Sequence, residues 1–384
     1  MPHRAASARM LRVSTPAVPA HLLPADGRFG SGPAKVRPEA LASLAGPGAA
    51  VMGTSHRQAP VRQLVGRVRR GLAELYALPE DHEVVLANGG STQFWDVATF
   101  SLVQRRSAHA AFGEFSAKFA RAAARAPHLD EPVVTEVAPG SAAVPGAVPG
   151  VDAYAWAHNE TSTGACAPVQ RVEGADEGAL VLVDGTSAAG GMPLDVTQTD
   201  AYYFAPQKSL GSDGGLWLAF LSPAAVERAE RLTTTRWIPE SLDLSVAIAN
   251  SRADQTLNTP AIATLWLLAD QLDWLAGHGG LDFAVGRSRE SASIIYSWAD
   301  AHPLVTPMVA EEFRSPVVAT LDLDASVDAT QVAAVLRASG VLDTEPYRKL
   351  GRNQLRVALF PTIDPEDVRA LTRCVDWVLE QLAG

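Results

Sequence analysis

Five short apolar runs, each closing on glycine or polar residues, constrain this chain more than any other feature. They read "EVVLANGGSTQF", "SAHAAFGEF", "AYAWAHNETSTG", "ALVLVDGTSAAGG" and "DAYYFAPQK", starting at residues 83, 107, 153, 179 and 200. Runs of this length suit strands rather than helices, and helical or loop material separates most of them. Such alternation predicts an α/β domain built on a largely parallel sheet. Ligands of open parallel sheets collect outside the carboxyl ends of the strands. The residues that end each run are therefore the candidates for chemistry.

The rest of the chain supports two lobes, as its 384 residues allow. Val61, Leu64, Val65, Val68, Leu72 and Leu75 recur at helical spacing up to Tyr76. The Pro/Gly-rich piece at 138–150 reads as a surface connection, since strand-like runs continue on both sides. A helix is expected from Thr259 as N-cap, with Pro260 at its first position and Gly277 near its end. Beyond about residue 276 the pattern changes. A helix at 282–300, the strand "PVVATLDL", a helix between Asp328 and Gly340, the strand "QLRVAL" and a helix capped by Asp364 make a smaller α+β lobe. The expected division is 26–275 for the large domain and 276–384 for the small one. Residues 1–25 carry Arg4, Arg9 and Arg12 before the first acid, Asp26. We expect a disordered extension there, or Met10 as the true start, rather than a transit peptide.

Composition excludes several classes. A formal net charge of −10 argues against a nucleic-acid partner. Two cysteines, Cys166 and Cys374, form neither a disulfide framework nor a metal-ligand cluster, and suit a reducing cytoplasm. With no such ligand cluster no metal is expected, and no apolar run is long enough to span a bilayer, so no membrane is expected either.

Three strand ends then stand out. Lys208 follows an aromatic run, where partial desolvation favours the neutral, nucleophilic amine. Asp184 closes "LVLVD", poorly solvated and in want of a cation. "NGGSTQ" (88–93) offers converging backbone N–H groups at Gly89 and Gly90, and hydroxyls at Ser91 and Thr92. Taken singly, Lys208 could be an exposed loop lysine, Asp184 a helix cap and the glycines an ordinary turn. In this order they match what pyridoxal phosphate needs: a phosphate cradle, a carboxylate facing the pyridine nitrogen and a lysine for its aldehyde.

At these residues the chain resembles the phosphoserine aminotransferases of actinobacterial type, in the class V, fold-type I group of pyridoxal phosphate enzymes. The resemblance runs from residue 27 to the C-terminus through "FGSGPAKV", "GTSHR", "NGGSTQFWD", "HNETSTG", "VDGTSA", "APQKSLGSDGG", "LNTP" and "GRNQLRVALFP". It implies a mostly parallel seven-stranded sheet and a homodimer with sites at the subunit interface. It also implies amino transfer between phosphoserine and 2-oxoglutarate in serine biosynthesis, with pyridoxine biosynthesis as a further role in some relatives. By the same resemblance Lys208 carries the cofactor, Asp184 pairs with its ring nitrogen, Phe115 stacks on the ring and Thr161 meets its phenolic oxygen. Gly90, Ser91, Thr186 and Gln207 match the phosphate pocket, beside the Thr92 hydroxyl, with Asn258 and Thr259 reaching it from the neighbouring subunit. Many relatives carry tryptophan in place of Phe115, and some carry arginine in place of Ser91, so ring overlap and phosphate charge are both reduced here. Arg356 matches the arginine for the substrate carboxylate. His56 and Arg57 match the pair for the substrate phosphate, contributed across the dimer. Relatives add a His-Arg pair before the carboxylate arginine; here Arg348 and Lys349 are its candidate replacements.

Rival readings are an alanine–glyoxylate aminotransferase, a cysteine desulfurase, a silent binding protein and a nicotinamide-binding domain. The last lacks any G-x-G-x-x-G. A desulfurase needs a mobile nucleophilic cysteine, whereas Cys374 falls inside a predicted helix and Cys166 reads as a small buried thiol. His158 reads as structural rather than as a base.

Overall fold

A computed structural model describes residues 16–382. Its centre is a seven-stranded sheet of β1 (Glu83–Gly89), β2 (Ser107–Ala111), β3 (Val133–Glu136), β4 (Ala153–Ala157), β7 (Leu180–Asp184), β8 (Ala201–Phe204) and β9 (Gly215–Leu221), in the order β1-β9-β8-β7-β4-β2-β3. A small hairpin of β5 (Asn159–Glu160) and β6 (Ala165–Cys166) lies between β4 and β7 in the chain. Only β9 runs against its neighbours, so β1, β2, β4, β7 and β8 all end at the same edge. That edge holds every run ending singled out above.

Alternation along the strands divides the core. Tyr202 and Phe204 face one layer, with Leu64, Val68 and Leu72 of α2 (Ala59–Leu75). Tyr203 and Trp217 face the other, with Phe94 and Trp95 of α3 (Ser91–Ser101) and Phe119 of α4 (Glu114–Arg125). Both faces being covered is why these strands are apolar throughout instead of alternating with polar residues. Helices α1 (Pro38–Ala45), α5 (Pro223–Thr235), α6 (Leu244–Arg252) and α7 (Ile262–His278) complete these layers.

A third core cluster gathers the C-terminal elements. The antiparallel strands β10 (Val305–Pro307), β11 (Val318–Leu323) and β12 (Gln354–Ala358) pack against α8 (Gly280–Ala301), α9 (Ala329–Ala338) and α10 (Pro365–Leu382). Asp328 and Asp364 cap as expected, accepting the N–H groups of Thr330 at 2.8 Å and Glu366 at 3.0 Å. Val368, Leu371, Val375 and Leu379 are the buried stripe of α10.

Two expectations need correction. Helix α7 starts at Ile262, not at Pro260, because the Asn88 side chain grips the approach: it donates to the Thr259 carbonyl (2.7 Å) and accepts from Ala261 N–H (3.2 Å). Residues 16–25 are packed, not disordered. Val18 is buried and donates to Ser339 Oγ, Leu22 accepts from the Cys374 thiol, and Ala25 donates to Asp367. Residues 1–15, including Met10, lie outside the described residues. Among the described residues, no helix is long and apolar enough to cross a membrane.

Candidate active site

The common strand edge and the start of α3 enclose a cavity of about 150 Å³. Nine residues singled out from sequence line it: Gly90, Ser91, Thr92, Phe115, Thr161, Asp184, Thr186, Gln207 and Lys208. A wider groove of about 570 Å³ passes Asp152 and Arg228 at the opposite sheet edge. There the buried Arg228 is already satisfied by Asp152 and the carbonyls of Leu102 and Gly178. Of these two, the smaller cavity joins reactive groups to unpaired ones.

Lys208 lies four residues beyond β8 and is buried. Its Nζ donates to the Ser31 carbonyl at 2.9 Å and to Thr161 Oγ1 at 3.3 Å, and sits 5.5 Å from the centre of the Phe115 ring. Burial, helped by the nearby Arg356 charge, brings the amine down to about 8. A Cβ on Gly32 would stand 2.8 Å from Nζ, and the φ of +146° there is one that side chains rarely adopt. The glycine of "FGSGPAKV" thus lets the chain lie directly against the amine.

Asp184, the last residue of β7, is buried with no cation paired to it among the described residues. Its Oδ1 accepts both the N–H of Thr186, at 2.9 Å, and the Thr186 hydroxyl, which is itself bridged to Ser91 Oγ. Burial raises its pKa, opposed in part by those bonds. Trp95 and Tyr203 border the carboxylate, and their N–H and hydroxyl have no other partner among the described residues. Helix α3 opens beside it on Gly90, which supplies no capping side chain and in front of which a Cβ would meet nothing within 4 Å. The buried Gln207 Oε1 is likewise unpartnered among the described residues.

Arg356 on β12 adds a cation from the small lobe. Its Nη1 donates to the Thr161 carbonyl at 3.2 Å, and its guanidinium lies 5.4 Å from the centre of the Tyr347 ring. Its Nε is buried without a partner, no carboxylate pairs with it among the described residues, and burial lowers its pKa.

The other expected residues lie outside the cavity. His56 Nδ1 is 3.2 Å from Thr259 Oγ1, and Arg57 donates to Gln255 at 3.1 Å, so these residues and Asn258 cluster on the surface beyond the end of β1. Arg348 is exposed, and Lys349 pairs with Glu114 at 2.6 Å on the outer side of α4. Neither residue lines the cavity of this chain, and Lys349 is held by an acid within short reach outside it.

Sequence reasoning missed Trp95 and Asn159, which also line the cavity. Trp95 is one helical turn past Ser91, and Asn159 adjoins Thr161 in "HNETSTG"; those spacings were the available signal. Asn159 Nδ2 donates to Ser187 Oγ at 2.8 Å and leaves a buried Oδ1 unpaired. His158 is structural: it meets the Tyr202 hydroxyl at 3.0 Å, and burial lowers it to about 4. Burial lifts both thiols to about 11, far from a thiolate nucleophile.

The family model described as Aminotransferase class-V matches residues 32–343. The chain belongs to the class-V aminotransferases. A phosphoserine aminotransferase of Nocardioides sp. is 58% identical to this class-V aminotransferase over 368 residues, covering 95% of this chain and 98% of that protein. The crystal structure of a phosphoserine aminotransferase from Cytophaga hutchinsonii superposes with a TM-score of 0.83 at 22% identity, covering 94% and 100% of the two chains. An aspartate aminotransferase of subgroup IV from Thermus thermophilus gives 0.77 at 23% identity, covering 92% and 99%. Likeness at these identities shows the fold and leaves the substrate open.

Class-V aminotransferases use pyridoxal phosphate, and the cavity fits it. The open start of α3, the Ser91, Thr92 and Thr186 hydroxyls and the unpaired Gln207 suit a phosphate. Asp184 lacks the cation that a protonated pyridine nitrogen would supply, and Lys208 is a nucleophile for the aldehyde.

Proposed function

We propose that this chain transfers the amino group of O-phospho-L-serine to 2-oxoglutarate, giving 3-phosphohydroxypyruvate and L-glutamate, as a cytoplasmic step of L-serine biosynthesis. The observation that carries the reading is the unpaired, largely buried Arg356, which bonds the same threonine that meets Lys208. A cation left without an anion beside a nucleophilic amine calls for a substrate with a carboxylate next to its reacting nitrogen, which is an α-amino acid. The phosphorylated side chain is supported by the near-full-length Nocardioides relative and its name.

When bound, pyridoxal phosphate supplies an electron-accepting ring conjugated to the carbon where the amino group is exchanged. Lys208 would hold the cofactor, and its ε-amine, once free, would carry the proton at the substrate α-carbon, first as general base and then as general acid. Asp184 would supply the negative charge that favours a protonated ring nitrogen. Thr161 orients Lys208, and Phe115 closes one wall against water. Arg356 takes the α-carboxylate of phosphoserine and then that of 2-oxoglutarate. Arg356→Lys is expected to raise KM for both substrates by roughly 10- to 100-fold, the worth of a charge-assisted hydrogen bond lost with the planar fork. Unchanged KM values in steady-state assays would remove Arg356 from the site. Phosphoserine should be strongly preferred to alanine; equal kcat/KM would overturn the phosphate claim.

His56, Arg57, Asn258 and Thr259 cluster away from the cavity of their own chain. The proposal is that a second copy turns this cluster toward Lys208, giving a homodimer with shared sites. Mixing Lys208→Ala with Arg57→Ala subunits then regains about a quarter of wild-type activity, because half the random pairs hold one intact site. No recovery after subunit exchange would place Arg57 in its own chain's site, and full activity of Arg57→Ala alone would place it in none.

A further inference from the structure

One tripeptide touches three parts of the site. The Thr161 hydroxyl meets Lys208 and its carbonyl meets Arg356, while its neighbours Glu160 and Ser162 turn to the first turn of α4. That turn starts from Gly113, which has no side chain to cap it. Ser162 Oγ accepts the Glu114 N–H at 2.9 Å. The Glu160 carboxylate accepts the N–H groups of Phe115 (3.1 Å), Ser116 (2.9 Å) and Ser162 (3.2 Å). It also accepts the hydroxyls of Ser116 (2.9 Å) and Ser162 (2.7 Å). The open donors of the helix are thus met by a segment more than 40 residues further along the chain. Glycine at 113 makes this possible, since a Cβ there would lie 2.3 Å from Glu160 Cγ.

Glu160 is fully buried, and no cation pairs with it among the described residues. Five donors, three of them backbone N–H groups that can only donate, are the surroundings an anionic carboxylate takes. Phe115, the second residue of α4, owes its place against the cavity to this cap. We propose that Glu160 is a positioning residue of the aminotransferase site, fixing Phe115 against the cofactor cavity through α4 and setting a buried negative charge beside Lys208. The proposal rests on the assignment of Lys208 as the cofactor lysine.

The charged groups that act on Lys208 are Arg356 from β12, Asp184 from β7 and Glu160 from β5; the two carboxylates favour its protonated form and Arg356 opposes it. Tyr203 borders Asp184, Tyr347 lies over Arg356, and Glu114 is held outside by Lys349 and Lys118. Removing the Glu160 charge therefore shifts how a lysine-bound cofactor titrates, which loss of a cap alone does not.

The test is a pH titration of the visible absorption band of the cofactor-loaded protein, with circular dichroism of that band and melting curves. In Glu160→Gln the midpoint falls below that of the parent, and the dichroism weakens as Phe115 loosens. In Glu160→Asp the charge stays and the reach shortens, so the dichroism weakens while the midpoint holds. Lower melting temperatures with wild-type midpoint and dichroism in both variants would reduce Glu160 to a fold residue and overturn the proposal. If Glu160→Gln does not fold, Ser162→Ala decides: it drops a donor to Glu160 and the acceptor for Glu114 N–H, and unchanged dichroism there overturns the proposal too. A wild-type protein with no visible band would instead show that the Lys208 assignment has failed.

Discussion

Lys208→Ala is expected to fold, to bind pyridoxal phosphate only reversibly, and to transfer amino groups at least about 10³-fold more slowly than the parent. Proton transfer by a placed side chain is worth roughly 10²–10⁴-fold, and covalent attachment is lost with it. Folding should not suffer. Burial holds the amine near 8, below the ordinary lysine value, so at neutral pH the folded chain carries a charge that would be better solvated unfolded. That unfavourable contribution is full below about 8 and fades as pH rises toward the unfolded lysine value. The cofactor-free variant should melt at or above the parent's temperature at pH 7. In the parent, the rate of cofactor uptake should rise about tenfold per pH unit below 8 and level off above it, because only the neutral amine attacks. Stopped-flow absorbance and calorimetry check both halves. A variant that keeps parental turnover removes Lys208 from the chemistry.

Asp184→Asn should cost on the order of 10²–10³-fold in kcat, the size of one preorganised electrostatic contact. The amide keeps the shape and can still accept from Thr186, but it supplies no negative charge, so the ring nitrogen loses its reason to stay protonated. The stability effect has the opposite sign. Burial raises the Asp184 pKa in the cofactor-free protein. A carboxyl raised in this way favours the fold below its ordinary range, and that benefit disappears as pH climbs through the folded value. At neutral pH the cofactor-free Asn variant should therefore melt higher than the parent, while the rise in melting temperature on adding cofactor should shrink. A parent whose melting temperature responds to cofactor no more than the variant's would deny Asp184 its cationic partner.

Much of this site was legible because a parallel sheet turns scattered run endings into neighbours. Gly90, Ser91, Asp184, Thr186 and Lys208 each follow or close a run, and shared strand direction brings them to one cavity without any long-range guess. What the sequence hid depends on contacts between distant segments. Val18 meets Ser339 across 321 positions, which no local pattern announces. The start of α7 was shifted by a side chain on β1. Lys349 was drawn to Glu114 on another lobe, a choice set by reach and exposure rather than by motif. The role of Glu160 is hidden within its motif, because an acid next to a threonine gives no hint that it caps a helix in another part of the chain.

The most direct check is to reduce the cofactor-loaded protein with borohydride and map the modified peptide by mass spectrometry. A single pyridoxyl adduct on Lys208, absent after Lys208→Ala, is the expected result. An adduct on another lysine, or none on a protein that still shows its visible band, would contradict the account.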